Sequence, residues 1–335
     1  MARILPATPE TVQQAAAALK GGQLVAFPTE TVYGLGAAAL NPQAVARVYE
    51  LKGRPRRHPL IVHLPEGQPL GEWAADPPEL AFELARRFWP GPLTLVLRRS
   101  AHVPDAVTGG QETVALRTPS HPVALALLEA FGGGVAAPSA NRFGRISPTR
   151  AEHVAAEFGG ELLILDGGPS QVGLESTILD LSRAADGQVR LLRPGGVPLA
   201  AIEAQLGFAV TLPEQARAQL TAQEDGEGAP PRAPGSLASH YAPHAPTHLV
   251  SGVELARLAR SGQTTDLAVL ALSAPPPNFQ GSWRALPSDP AEYGRLLYAA
   301  LRELDAEAPT QILIELVPSG DAWLAVRDRL KRAAS

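Results

Sequence analysis

A chain of 335 residues, 45% of them apolar, can form one large domain or two ordinary ones around a sizeable core. Without cysteine it forms no disulfide, thiol nucleophile or thiolate metal site, and a formal net charge of −4 argues against a general nucleic-acid coat. No run approaches the ~18 apolar residues of a membrane span, and "MARILPATPE" has no apolar signal core, so the expected setting is cytoplasmic, with no membrane partner.

In chain order, strands and helices alternate. Thr8 reads as an N-cap with Pro9 at the first helical position, and that helix stops at Gly21–Gly22. "QLVAF" is a short apolar strand. Asn41–Pro42 repeats the cap-and-proline signal, and the second helix ends at Gly53. "PLIVHL" is a strand, Asp76–Pro77 opens a helix that closes near "WPGP", "LTLVLR" and "TVALR" are strands, and Ser120 caps "HPVALALLEAF". "GVAAP" runs into "SANRFGRISPT"; a helix follows, then the strands "ELLILD", "STILDL" and "VRLLR" and the helix "VPLAAIEAQLG". After residue 210 the sequence turns polar and Pro/Gly-rich, as in a linker. Alternation resumes in "THLV", "VELARLAR", "LAVLAL", "EYGRLLYAALREL", "QILIELV" and "WLAVRDRLKR". The expectation is an α/β domain over 1–210, a linker or lid over 211–246, and a small Rossmann-like α/β/α domain over 247–335.

The polar residues gather where strands end: "PTETVYG", "KGRPRRHPLIVH", "TVALRTP", "APSANRFGRISPT" and "ESTI…RLLRPGG". Ligands of α/β sheets bind outside strand ends, and hydroxyls with exposed backbone N–H groups cradle anions. Lys52, Arg54, Arg117 and Arg193 supply positive charge, which suits a ligand with more than one anionic group. Each cluster alone has a plainer reading. Thr29 and Thr31 can cap a turn, Gly34 and Gly36 can serve one through positive φ, and His63 can be a core histidine. Lys52 and Arg54 can complement a helix C-terminus, Ser139 and Asn141 can be turn residues, Ser147 can N-cap the following helix, and Arg193 can close a strand into a turn. The P-loop, the full G-x-G-x-x-G, H-E-x-x-H and G-x-S-x-G patterns are all absent.

In order and spacing, "FPTETVYGLGA", "KGRP..HPLIVH", "APSANRFGRISPT", "ESTILD" and "RLLRPG" resemble the YrdC-like family, and "APGSLASHYAPHAP" resembles the linker motif of its long, two-domain members, which are threonylcarbamoyl-AMP synthases. The resemblance implies a mixed, twisted sheet with helices, and a reaction in which L-threonine, bicarbonate or CO2, and ATP give threonylcarbamoyladenylate and pyrophosphate. The product is then handed to a threonylcarbamoyl-transferase complex acting on tRNA next to the anticodon. It implies L-threonine contacts at Thr31, His63, Arg117, Ala137 (through its backbone) and Ser176, and catalytic phosphate and carbamate contacts at Lys52 and Arg54. It places ATP at Arg54, His58, Thr113, Ser139, Asn141, Ser147, Arg193 and, from the linker, Tyr241, with Mg2+ carried largely by ATP and water. His58 stands where the family usually has asparagine in KxRPxxNP, which makes its ATP role the exceptional one. Two other classes compete. RNA binding through a basic face around "KGRPRRH" is opposed by the net charge, though a weak RNA contact is compatible with it; hydrogenase-maturation carbamoyl transfer needs cysteine zinc motifs that this chain lacks.

Overall fold

The computed structural model of the chain describes residues 3–160, 162–212, 231–235, 240–260, 266–277 and 279–335. Most of the expected linker, residues 213–230 and 236–239, lies outside the described residues.

The first unit is built on ten strands: β1 (Arg3–Pro6), β2 (Val25–Phe27), β3 (Gly34–Ala38), β4 (Ile61–His63), β5 (Leu93–Arg98), β6 (Thr113–Arg117), β7 (Val135–Ala136), β8 (Leu163–Asp166), β9 (Thr177–Arg183) and β10 (Gln188–Arg193). They lie in the order β1-β8-β2-β3-β7-β4-β6-β5-β9-β10, with parallel pairs β1–β8, β2–β8, β4–β6 and β5–β9 among antiparallel ones. The sheet is therefore mixed. Its helices are α1 (Pro9–Lys20), α2 (Pro42–Lys52), α3 (Glu79–Phe88), α4 (Asp105–Thr108), α5 (Pro122–Phe131), α6 (Ala151–Glu157) and α7 (Leu199–Leu206). One apolar layer joins Val12, Ala16 and Leu19 of α1 to Leu127 and Leu128 of α5, and a larger one packs α2, α3 and α7 through Val48, Leu84 and Ile202.

Local chemistry explains the helix starts. Thr8 and Thr11 form a reciprocal capping box at α1, and Asn41 Oδ1 accepts from the backbone N–H groups of Gln43 and Ala44 at α2. Two starts differ from expectation. His121, not the exposed Ser120, caps α5, its Nδ1 accepting from Val123 N at 3.2 Å. Asp76 sits at φ +46° and α3 begins only at Glu79, because the two prolines after Asp76 hold the chain extended. Two strands of this unit were not expected, β1 and β3. Gly34 and Gly36 are therefore strand residues and not a turn. A Cβ on Gly36 would stand 2.8 Å from Phe27 Cε1 and 2.9 Å from Val135 Cγ1, so the glycine is needed for close packing.

The second unit is a four-stranded, wholly parallel sheet of β11 (Thr247–Val250), β12 (Leu267–Ala271), β13 (Ser282–Ala285) and β14 (Gln311–Glu315), in the order β11-β14-β12-β13. Its helices are α8 (Gly252–Arg260), α9 (Pro290–Ala306) and α10 (Leu324–Ala333). Strand β13 was also unexpected. The core of this unit does not close on itself. Val32, Ile146 and Leu174 from the first unit pack into it beside Leu297, Leu301 and Leu330, and a Cβ on Gly294 of α9 would meet Leu174 Cδ1 at 2.8 Å. The loops after β2, β7 and β8 are thus buttressed by the second unit.

Gly36→Val should lower stability by about 1–3 kcal/mol through overpacking, whereas Gly71→Ala, at a site where a Cβ meets nothing within 4 Å, should leave it unchanged. Thermal melts of the two variants check this.

Candidate active site

The loop after β2 holds a chain of hydroxyls. Thr29 Oγ1 donates to Val32 O at 2.6 Å, so it accepts from Thr31 Oγ1 at 2.8 Å. Thr31 Oγ1 in turn accepts from Arg117 Nη1 at 2.9 Å. Arg117, at the end of β6, also donates Nε to Gly91 O at 3.1 Å and pairs with the buried Glu30 at 2.6 Å. These three partners hold its guanidinium in one orientation.

Lys52 ends α2, and Gly53 at φ +65° turns the chain sharply so that Lys52 and Arg54 both point inward. Lys52 Nζ donates to the carbonyls of Ser139, at 2.6 Å, and Asn141. Arg54 donates to Pro59 O at 3.0 Å and lies 5.7 Å from the centre of the Phe143 ring. Asn141 Nδ2 donates to Arg142 O and Arg145 O, and its buried Oδ1 has no hydrogen-bond partner among the described residues. Arg193, at the end of β10, donates to Ser176 O and Oγ and to Pro234 O. Burial pushes the Lys52 ammonium well below its usual value, with Arg54 adding repulsion, and lowers Arg54 to about 10. Burial and then the Arg117 charge bring His63 down to about 3, so its imidazole is neutral near pH 7.

These side chains surround one cleft, with roughly 620 Å3 of space between them once its open mouth is included. Thr31, Lys52, Arg54, His63, Arg117, Ala137, Ser139, Asn141, Ser176, Arg193 and Tyr241, all expected from the sequence, line it together. Three expected residues lie elsewhere. Thr113 opens β6 opposite Arg98, Ser147 is fully buried behind Glu175, and the His58 ring rests on Phe143 at 5.6 Å while its carbonyl accepts from Tyr49 and Arg54. Burial, then Arg54 and Arg232, lowers the His58 pKa, which favours the neutral ring.

Sequence reasoning passed over Glu175, Phe143 and His240, which also line the cavity, although "EST", "NRFG" and "SHYAP" contain them. Both Glu175 oxygens are engaged: Oε1 accepts from Ser147 Oγ at 2.6 Å, Oε2 from Arg329 Nε at 2.7 Å, and Tyr298 OH reaches both, at 3.2 and 2.9 Å. Burial alone would raise its pKa; Arg329 and Arg193 outweigh that and hold it at about 2.

Residues 17–195 match the Sua5/YciO/YrdC domain family, described as "Telomere recombination", and residues 197–335 match the Sua5 C-terminal domain, described as "Threonylcarbamoyl-AMP synthase, C-terminal domain". The chain belongs to the Sua5/YciO/YrdC family. It is 40% identical to the threonylcarbamoyl-AMP synthase of Pyrococcus abyssi, over 96% of this chain and 94% of that one, and 42% identical to that of Bacillus subtilis, over 96% and 92%. Among solved structures, it superposes on P. abyssi Sua5 complexed with L-threonine with a TM-score of 0.87 at 38% identity, covering all of this chain and 97% of the other. This member of the Sua5/YciO/YrdC family therefore spans nearly the full length of its two-domain relatives.

A carboxylate held at about 2 in the folded state and near 4.5 when unfolded stabilises the fold above pH 4.5, and that contribution disappears as pH falls through about 2. The gap in melting temperature between the wild type and Glu175→Gln should therefore be full at pH 7 and narrow steadily from pH 4.5 towards 2. A gap independent of pH would contradict the assignment.

Proposed function

We propose that the cavity binds L-threonine and ATP side by side and that the chain acts as a threonylcarbamoyl-AMP synthase. The observation that carries the reading is electrostatic. Lys52, Arg54 and Arg193 are buried and, among the described residues, form no ion pair; their acceptors are backbone carbonyls and the Ser176 hydroxyl. Buried charge is costly until an opposite charge meets it, and a triphosphate beside a carbamate provides several.

In this reading Arg117 pairs the threonine carboxylate, Thr31 and Ser176 meet its hydroxyl and amino ends, and neutral His63 and the Ala137 backbone close that side. The amine condenses with CO2 to a carbamate and a proton, or with bicarbonate to a carbamate and water. A carbamate oxygen then forms a bond to the α-phosphorus as the bond to pyrophosphate breaks. Lys52 and Arg54 stabilise the charge spreading over the phosphoryl oxygens and the leaving group, in keeping with chemistry that needs placement and electrostatics more than covalent help. Ser139, Asn141, Arg193 and Tyr241 take the nucleoside side. His58, Thr113 and Ser147, which the resemblance also assigns to ATP, do not line the cavity. Mg2+ finds no fitting protein set: no group of three or more His, Asp or Glu forms among the described residues, and Glu175 has both oxygens occupied. Mg2+ is accordingly assigned to the ATP it accompanies.

The adenylate would pass to a threonylcarbamoyl-transferring machinery acting on tRNA, in the cytoplasm. Among the described residues no helix is long and apolar enough to cross a membrane. The proposed division is 1–210 for catalysis, 211–246 for the strap over the site and 247–335 for the supporting domain.

Pyrophosphate release from ATP should require both L-threonine and bicarbonate, and release that ignores either would sink the reading. Arg117→Lys keeps the charge but loses the planar fork. It should raise the KM for L-threonine about 10- to 100-fold, the worth of a hydrogen bond to a charged group, with the KM for ATP little changed.

A further inference from the structure

The cavity is closed in part by residues that reach it from the far end of the chain. Tyr241 is buried, and its φ of +63° is uncommon for a residue with a side chain, so its surroundings must hold it there. Among the described residues its hydroxyl has no hydrogen-bond partner, and Tyr241 lines the cavity. Arg329, fully buried on α10, lies with its guanidinium 5.2 Å from the centre of the Tyr241 ring, and the Tyr298 ring stands 5.6 Å away. The same helix accepts the backbone N–H of His240 at Arg332 O, 3.2 Å away. Arg329 also pairs with Glu175 at 2.7 Å and donates to Pro194 O at 2.9 Å, beside Arg193. One guanidinium therefore touches the strap residue, the cavity carboxylate and the turn that follows the β10 arginine.

We propose that Arg329 is a positioning residue for the nucleotide half of the site: it fixes Tyr241 beside the cavity through its ring and fixes Glu175 through a buried ion pair, so that the C-terminal unit sets where Tyr241 stands relative to ATP. This rests on the placing of ATP beside Tyr241 given above. Tyr298 shares the task, donating to Glu175 while stacking near Tyr241. Neither residue touches the cavity in its own right; both act through side chains that do.

Removing Arg329 alone would strand the Glu175 charge, so the informative variant is Arg329→Met combined with Glu175→Gln, which deletes both charges together. It should fold, with the KM for ATP raised about tenfold or more, the worth of a desolvated cation–π contact, and the KM for L-threonine within about twofold, a split that general destabilisation does not produce. Arg329→Lys, which keeps the charge without the fork, should recover part of the ATP affinity; it carries the same comparison alone if the double variant does not fold. Adding Tyr241→Ala should cost less ATP affinity in the double variant than in the wild type. A folded variant with unchanged ATP KM, or with both KM values raised together, would overturn the proposal. Direct calorimetric titration of ATP separates the two readings. If the wild type releases no threonine-dependent pyrophosphate, the synthase reading fails, while unchanged ATP affinity in the variant would refute the role of Arg329.

Discussion

Lys52, Arg54 and Arg193 are held out of water with carbonyls and one hydroxyl as their acceptors, and the rest of the site is arranged around that imbalance. Carbonyl dipoles hold an ammonium or guanidinium in place without neutralising it. Two further buried cations are treated differently: Arg117, at the cavity, is paired with Glu30, and Arg329, which does not line it, with Glu175. The protein thus separates charges it balances itself from charges it leaves for a ligand. In the proposed reading, Arg117 meets the single carboxylate of threonine, and the unbalanced three meet the several negative charges of a triphosphate.

That division explains why a small second unit is packed so tightly on the first. Anionic ligands bound by buried cations must be shielded from water, because the interaction weakens as the local dielectric rises. Val32, Ile146 and Leu174 anchor the loops that carry the polar residues in the core of the second unit, and Arg302 of α9 adds polar contacts to the backbone of Ile146 and Ser147 and an ion pair with Glu157. The strap around Tyr241 is held by both units at once, through Gly144 O and Arg332 O.

Much of this was legible in the sequence where the signal was local. The caps at Thr8 and Asn41 follow from side-chain oxygens meeting free helix N–H groups, and the strand-end clusters converge because their strands neighbour one another in a single sheet. The signal failed where the reason for a residue lay far away. Gly34 and Gly36 suggested a turn, yet Gly36 is required by Phe27 and Val135 across the sheet. Strand β1 is recognisable only by its pairing with β8, more than 150 residues later. Glu175 stood in plain view in "EST", but its meaning depends on Arg329 in the last helix, a pairing no local pattern records. Ser147, which by resemblance is an ATP contact, donates to that carboxylate, a bond equally absent from any local pattern.

The most direct test is a crystal structure of the protein with L-threonine, bicarbonate and a non-cleavable α,β-methylene analogue of ATP. The account expects Arg117 on the threonine carboxylate, Lys52 and Arg54 on phosphate oxygens, and a carbamate oxygen about 3–3.5 Å from the α-phosphorus, the distance of a near-attack arrangement. Phosphates bound away from Lys52 and Arg54, with those cations still facing only carbonyls, would contradict it.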